Sequence, residues 1–415
     1  MTAPLLLAYI CAALLLQLAT GIGLAVWRRR GLAVGTVAAA GESATPTAAL
    51  AWSGWREFRV ARREFEDPQH TQCSFYLEPV DAVPLPPFKP GQFLTFSLPV
   101  ADTGAAAPDR PRTITRCYSL SDQPQPTGYR ITVKRAAPPP GRPDLSPGVS
   151  SSYLHDRVRT GDVLKVKAPS GHFFIDPDPS IPVVLIGGGI GITPMMCMLR
   201  WGLVAQPGRT FHLYYGLRNQ DEHGFKPQLE QLAQLHPRFH LNVVYSRPQA
   251  NDLPGRDFQH AGHVDVDLLR RTLPHGRHQF YVCGPSAMMQ SLVPALSQWG
   301  VAIEDIHFEA FGPASLGPVR APRQEAGAGL APVEIRFGRS GRTLMWDGRD
   351  ETLLDFAERH GVAVESGCRS GSCGSCETKL VSGTVHYARS PDHDVAAGYC
   401  LLCVGTPASA LVLEA

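Results

Sequence analysis

Three cysteines fall within nine residues of "ESGCRSGSCGSCETKL": Cys368, Cys373 and Cys376. The run reads C-x4-C-x2-C, a spacing that holds a [2Fe–2S] cluster when a fourth cysteine follows far downstream. Two candidates for that fourth ligand stand in "CLLC", Cys400 and Cys403. Zinc is the alternative, but it favours two separated pairs with tetrahedral spacing. Gly367, Gly371 and Gly374 would let backbone N–H groups approach bridging sulfides. Ser366, Ser370, Ser372 and Ser375 could donate further hydrogen bonds, which tune a cluster's reduction potential.

A [2Fe–2S] cluster takes one electron at a time, whereas a nicotinamide delivers two as hydride. A flavin can split the pair, so a flavin site and a nicotinamide site are expected. "RCYSLSD" offers Arg116 for a pyrophosphate, Tyr118 to stack on a flavin ring and Ser119 to bond its N5 edge. "PGVSSSYLHD" offers Gly148 and Ser151 at the start of a helix, where N–H groups face anions. "LIGGGIGITPMMCML" reads as strand, Gly-rich turn and helix, the unit that brings backbone against a dinucleotide pyrophosphate. Its Met195, Met196 and Met198 read most simply as core. Cys117 has no interpretation at this level.

These residues need scaffolds to hold them. Residues 54–177 carry short β-runs ("QCSFYLEPV", "GQFLTFSLP", "YRITVKR", "DVLKVKAP") between Pro- and Gly-rich turns, which predicts a small antiparallel β-barrel. Residues 178–312 alternate strand and helix, which predicts a doubly wound parallel α/β sheet. A Pro/Gly/Ala linker, 313–332, leads to a compact last domain, 333–415. Ahead of the barrel, residues 1–30 contain an uncharged stretch, Pro4 to Trp27, followed at once by Arg28, Arg29 and Arg30. As a helix it would span roughly 36 Å, enough for a bilayer core. Positive charge after the apolar run argues for a retained single-pass anchor in the inner (plasma) membrane, with the catalytic domains in the cytoplasm, against the alternatives of a cleaved signal or a buried helix. Residues 31–53 form a tether. The net charge of +2 gives no reason to expect nucleic acid as a partner.

The last domain resembles plant-type ferredoxins along its length, which implies a β-grasp fold. The resemblance puts Cys403 in the fourth ligand position with Cys368, Cys373 and Cys376. The separation from Cys376 is slightly short for the family, and Cys400 stays open as the alternative. From about residue 54 to 313, the order of Arg-x-Tyr-Ser, GGGIGITP, "YVCGP" and "HFEAFGP" is similar to the ferredoxin-NADP⁺ reductase superfamily, above all the reductase half of flavohaemoglobins and hybrid-cluster-protein reductases. That resemblance implies that Arg116, Tyr118, Ser119 and the Gly148–Ser151 turn hold FAD. It implies that Gly188, Gly189, Gly191 and Thr193 hold NADH or NADPH. Cys283 would sit beside the nicotinamide, and Phe311 would cover the flavin and give way as nicotinamide enters. Related phthalate-dioxygenase-type reductases can use FMN, but the turn after the barrel favours FAD.

The expected activity is a membrane-tethered NAD(P)H-dependent reductase passing electrons through FAD and [2Fe–2S] to a redox partner protein: an oxygenase, a desaturase or a hybrid-cluster protein. The alternative is an electron-input subunit of a respiratory quinone-reducing complex. The sodium-pumping NADH:quinone oxidoreductase joins the same parts, but with the ferredoxin domain between helix and barrel. A non-catalytic binding module would leave three cofactor motifs unexplained. "YSRP" places Ser246 and Arg247 at a strand end, where NADPH-using members of the superfamily carry such a pair, and Arg218 could add a second cation. The flavohaemoglobin resemblance favours NADH, so NADH use with appreciable NADPH activity is expected.

Overall fold

A computed structural model describes residues 52, 54–101, 111–138, 147–311, 332–348, 350, 352–369, 371, 373–388, 391, 393 and 395–415. The Pro4–Trp27 stretch expected to span a membrane, and most of the 313–332 linker, lie outside these residues. Among the described residues no helix is long and apolar enough to cross a membrane.

The first sheet has six antiparallel strands: β1 Arg56–Phe65, β2 Gln72–Pro79, β3 Phe93–Ala101, β4 Pro111–Ser119, β5 Tyr129–Lys134 and β6 Val163–Ser170. Their order is β4-β3-β6-β1-β2-β5. A bridge between Leu120 and Ile131, and the Ser121 N–H on the Arg130 carbonyl (2.8 Å), join the two edge strands and close the barrel. Alternation drives this closure. Phe58 and Val60 of β1 and Leu164 and Val166 of β6 turn inward, while the residues between them stay at the surface or half-buried. Helix α1, Val149–Asp156, packs its Leu154 into the barrel core.

The second sheet is parallel: β7 Val183–Gly188, β8 Phe211–Leu217, β9 Phe239–Tyr245, β10 His260–Ala261, β11 Gln279–Gly284 and β12 Ile306–Ala310, in the order β10-β9-β8-β7-β11-β12. Every residue of β7 is buried, as expected of a central strand covered on both faces. Val183 and Leu185 feed one core with α2 (Ile192–Ala205) and α3 (Lys226–Leu235). Val184 and Ile186 feed the other with α4 (Val266–Thr272) and α5 (Ser286–Gln298). Met195, Met196 and Met198 are fully buried core residues. Strand order reverses at β7, so its carboxyl end is the place where a doubly wound sheet binds ligands.

The last domain has a five-stranded mixed sheet, order β14-β13-β19-β15-β17, and a two-stranded ribbon, β16-β18. The strands are β13 Val333–Phe337, β14 Arg342–Trp346, β15 Glu377–Ser382, β16 Val385–Tyr387, β17 Tyr399–Leu401, β18 Gly405–Pro407 and β19 Leu411–Leu413. Helix α6, Leu353–Arg359, starts at Thr352, whose hydroxyl accepts the Asp355 N–H at 3.1 Å. It buries Leu353, Leu354, Phe356 and Ala357 against the sheet. The cysteine loop fills the gap between α6 and β15.

Candidate active site

Strand β4 carries Arg116, Cys117, Tyr118 and Ser119 in sequence, so alternation sends Arg116 and Tyr118 to one face and Cys117 and Ser119 to the other. The Arg116 guanidinium is exposed and donates to the Thr115 carbonyl at 2.7 Å. Tyr118 meets Phe96 edge-on at 5.6 Å, and its hydroxyl bonds Ser150 on α1. The expected turn at Gly148 and Ser151 works differently from an open anion site. The Gly148 N–H is spent on the Ala136 carbonyl at 3.0 Å. Ser151 Oγ donates to the Gly148 carbonyl (2.9 Å) and accepts the Ala136 N–H (3.1 Å). A Cβ on Gly148 would stand 2.7 Å from that of Ala136. Both residues lock the helix start to the barrel, and it is Ser150 that reaches Tyr118.

At the carboxyl end of β7 the glycines have separate reasons. A Cβ on Gly191 would lie 2.2 Å from the Cys283 carbonyl oxygen, and one on Gly188 2.7 Å from Pro285 Cδ. Gly189 instead has φ +53°, a left-handed conformation open to its surroundings. Thr193 is buried and its hydroxyl donates to the Ile190 carbonyl at 3.0 Å, closing the turn. Cys283, the penultimate residue of β11, is fully buried, next to Gly187 on one side and Glu309 of β12 on the other. Ser119 Oγ donates towards Glu309 Oε2 at 3.5 Å. Glu309 was not singled out by the sequence reading. The residue is half-buried, and desolvation of its carboxyl pushes its pKa up to about 8. Burial, then the Glu309 charge, holds the Cys283 thiol well above the usual range. Phe311 follows β12 and is 39% exposed. At the ends of β8 and β9, the Ser246 N–H bonds the Leu217 carbonyl and the Arg247 N–H the Arg218 carbonyl (2.9 and 2.8 Å). This backbone pairing sets Arg247 beside Arg218, whose own guanidinium holds Glu222 at 3.0 Å.

In the last domain thiol contacts link Cys403 to Cys368 and Cys376, and Cys368 to Cys373. Backbone N–H groups aim at two of the sulfurs: Cys368 N to Cys373 Sγ at 3.2 Å, and Cys403 N to Cys376 Sγ at 3.4 Å. Ser375 Oγ lies 3.3 Å from Cys373 Sγ. A Cβ on Gly367 would stand 2.8 Å from that same sulfur. Cys400 is buried on β17 in the apolar core, where burial pushes its thiol up to about 12. The donor chemistry fits a [2Fe–2S] cluster: four converging thiols, N–H groups directed at sulfur and a glycine where a side chain would collide.

Two family models match. That of the oxidoreductase NAD-binding domain covers residues 185–293, and that of the 2Fe-2S iron-sulfur cluster binding domain covers residues 336–408. A flavohemoprotein from Rhizobium meliloti is 37% identical over 262 residues, 63% of this chain and 62% of its own. One from Chromobacterium violaceum is 39% identical over 261 residues, 63% of this chain and 61% of its own. The chain thus spans less than two thirds of the length of these relatives. Among solved structures, the FAD/NAD-binding domain of nitric oxide dioxygenase from Vibrio cholerae aligns with TM-score 0.53 and 32% identity, over 62% of this chain and 99% of its own. Phthalate dioxygenase reductase, described as modular for electron transfer from pyridine nucleotides to [2Fe–2S], aligns with TM-score 0.50 and 28% identity over 87% of this chain and 98% of its own. The chain belongs to the FAD- and NAD-binding ferredoxin-reductase-like oxidoreductases, with a [2Fe–2S] ferredoxin domain at its C-terminal end. Its cofactors are FAD, a [2Fe–2S] cluster and a nicotinamide dinucleotide.

In this ferredoxin-reductase-like chain the cysteine loop rests on β4 and β6. The Cys117 thiol contacts those of Cys368 and Cys373, and Lys167 Nζ of β6 donates to the Cys373 carbonyl at 2.8 Å. Neither Cys117 nor Lys167 carried a local sequence signal for this contact, because its partners lie far away in the chain.

Proposed function

We propose that the chain takes an electron pair from NADH or NADPH at the carboxyl end of β7 and delivers single electrons through Cys368, Cys373, Cys376 and Cys403 to a protein acceptor. The observation that carries this reading is the double use of β4. Tyr118 and Ser119 stand on the strand whose Cys117 touches the cysteine loop. When bound, FAD supplies the conversion of an electron pair into single electrons, and the [2Fe–2S] cluster carries them one at a time. Arg116 would bind the flavin's pyrophosphate and Tyr118 orient its ring. Gly188, Gly189 and Gly191 bring backbone close to the dinucleotide, with Cys283 closing the turn beneath and Phe311 covering the ring. Ser119 and Glu309 form a proton-holding pair, the hydroxyl proton lying towards Glu309 Oε2. Arg247 and Arg218 would meet a 2′-phosphate. Phthalate dioxygenase reductase transfers electrons from pyridine nucleotides to [2Fe–2S], and its likeness over 87% of this chain supports the same direction of flow and an oxygenase as acceptor. The Pro4–Trp27 segment would hold the reductase at the membrane.

Anaerobic titration with NADH tests the reading. About three electron equivalents should be taken up per chain, two by FAD and one by the cluster. Uptake of two, with a fully oxidised cluster, contradicts it. In Arg247→Ala, kcat/KM for NADPH should fall by about 1.5–3 kcal/mol, roughly 10- to 150-fold, with NADH unaffected. Equal losses with both would show that Arg247 does not read the phosphate. Removing residues 1–30 should release the protein from membranes with its dye-reductase activity intact.

A further inference from the structure

Three side chains from three different strands form one row on the outer face of the barrel. Cys117 of β4 stands directly opposite Thr95 of β3, and Thr95 directly opposite Lys167 of β6. Directly paired residues share a face, so all three point the same way. Thr95 is completely buried although it is polar and lies on the outside of a barrel. The cysteine loop is what the row meets. Lys167 Nζ donates to the Cys373 carbonyl at 2.8 Å, and the Cys117 thiol reaches the sulfurs of Cys373 and Cys368. Thr95 Oγ1 lies 3.4 Å from Cys117 Sγ and orients it.

We propose that Cys117 is a positioning residue for electron transfer: its S–H donates to the ligand sulfur of Cys373 or Cys368 from the flavin strand and raises the cluster's reduction potential. The proposal rests on the reading that these two cysteines hold the cluster. A donor to a ligating sulfur stabilises the reduced cluster more than the oxidised one, because reduction adds negative charge that the donor offsets. The thiol therefore makes electron movement from the flavin side towards the cluster more favourable. Packing alone would not need a thiol, since the methyl of alanine fills part of the same space without donating.

The test is a redox titration of the full chain, following the cluster's one-electron spin signal, with FAD content measured alongside. Cys117→Ala should lower the equilibrium constant for cluster reduction about tenfold, a potential about 59 mV lower for a one-electron couple. Cys117→Ser keeps a donor and should recover most of that loss. Thr95→Val should move the potential in the same direction by less. An unchanged potential in Cys117→Ala, with cluster and FAD both present, would overturn the proposal. Should Cys117→Ala assemble no cluster, Thr95→Val carries the test, and a potential unchanged or raised there overturns it equally. If the unsubstituted chain shows no cluster signal at all, the underlying reading of the four cysteines has failed instead.

Discussion

Two glycine-rich loops, the turn after β7 and the cysteine loop, are built on opposite principles. In the turn after β7, Gly188 and Gly191 are required by neighbours, the Pro285 ring and the Cys283 carbonyl, and Gly189 alone of the three takes a left-handed φ. The helix that follows is buried from Ile192 to Leu199, so sheet and helix hold the turn with no ligand needed. In the cysteine loop, Gly371 and Gly374 have φ of +79° and +71°, and Arg369 joins them at +55°. The Cys368 and Cys403 N–H groups are directed at sulfur, where the β7 turn has a hydrophobic core. One loop is shaped by the packed fold around it, the other by contacts between its own backbone and thiols.

The strongest way to break this contrast is to remove a thiol. Cys403→Ser should abolish the cluster's visible absorbance and spin signal while FAD stays bound to its barrel, whereas Cys400→Ser should leave both. An intact cluster in Cys403→Ser, with loss in Cys400→Ser, would reverse the ligand assignment that the thiol contacts support.

A smaller effect is expected at the turn. Gly191→Ala must push apart β11 and the helix start, which costs about 1–3 kcal/mol by overpacking. It should weaken NADH-dependent flavin bleaching and leave the cluster's spectrum untouched. Equal damage to the cluster would show that the two loops are not independent.

The placement of these loops was legible in the sequence to very different degrees. Strand runs such as "YRITVKR" and "PVVLIGGG", and the helix at "TLLDFAERHG", carry periodicity and caps that local physics reads directly. The cysteine spacing was visible for the same reason, since ligand distance along a loop is a local property. The contacts that join domains were not. Cys117 meets Cys373, and Lys167 the same residue's carbonyl, through docking of surfaces distant in sequence. Glu309 sits inside "HFEAFGP" with nothing to distinguish it from a solvated strand-end acid until β11 and Ser119 are in place. Gly148 looked like a free helix-start amide, and only the neighbouring Ala136 carbonyl reveals where its N–H goes.

The smallest predicted effect concerns Glu309. Its folded pKa is raised from 4.5 to about 8 by burial, so the folded state binds a proton that the unfolded chain has lost. Stability from this group is fully present below about pH 4.5 and declines as pH rises towards 8. The thermal midpoint of the protein should fall across that window, and Glu309→Gln should flatten the fall. A profile that is equally steep in the variant assigns the dependence to another group.

Anaerobic rapid mixing of the full chain with NADH, followed at flavin and cluster wavelengths together, resolves the order in which the two centres are reduced. Flavin bleaching should come first and cluster reduction second, and Cys403→Ser should show the first phase alone. Cluster reduction in protein stripped of FAD, or a fully bleached flavin beside a cluster that stays oxidised, would contradict a route from β7 through β4 to the cysteine loop.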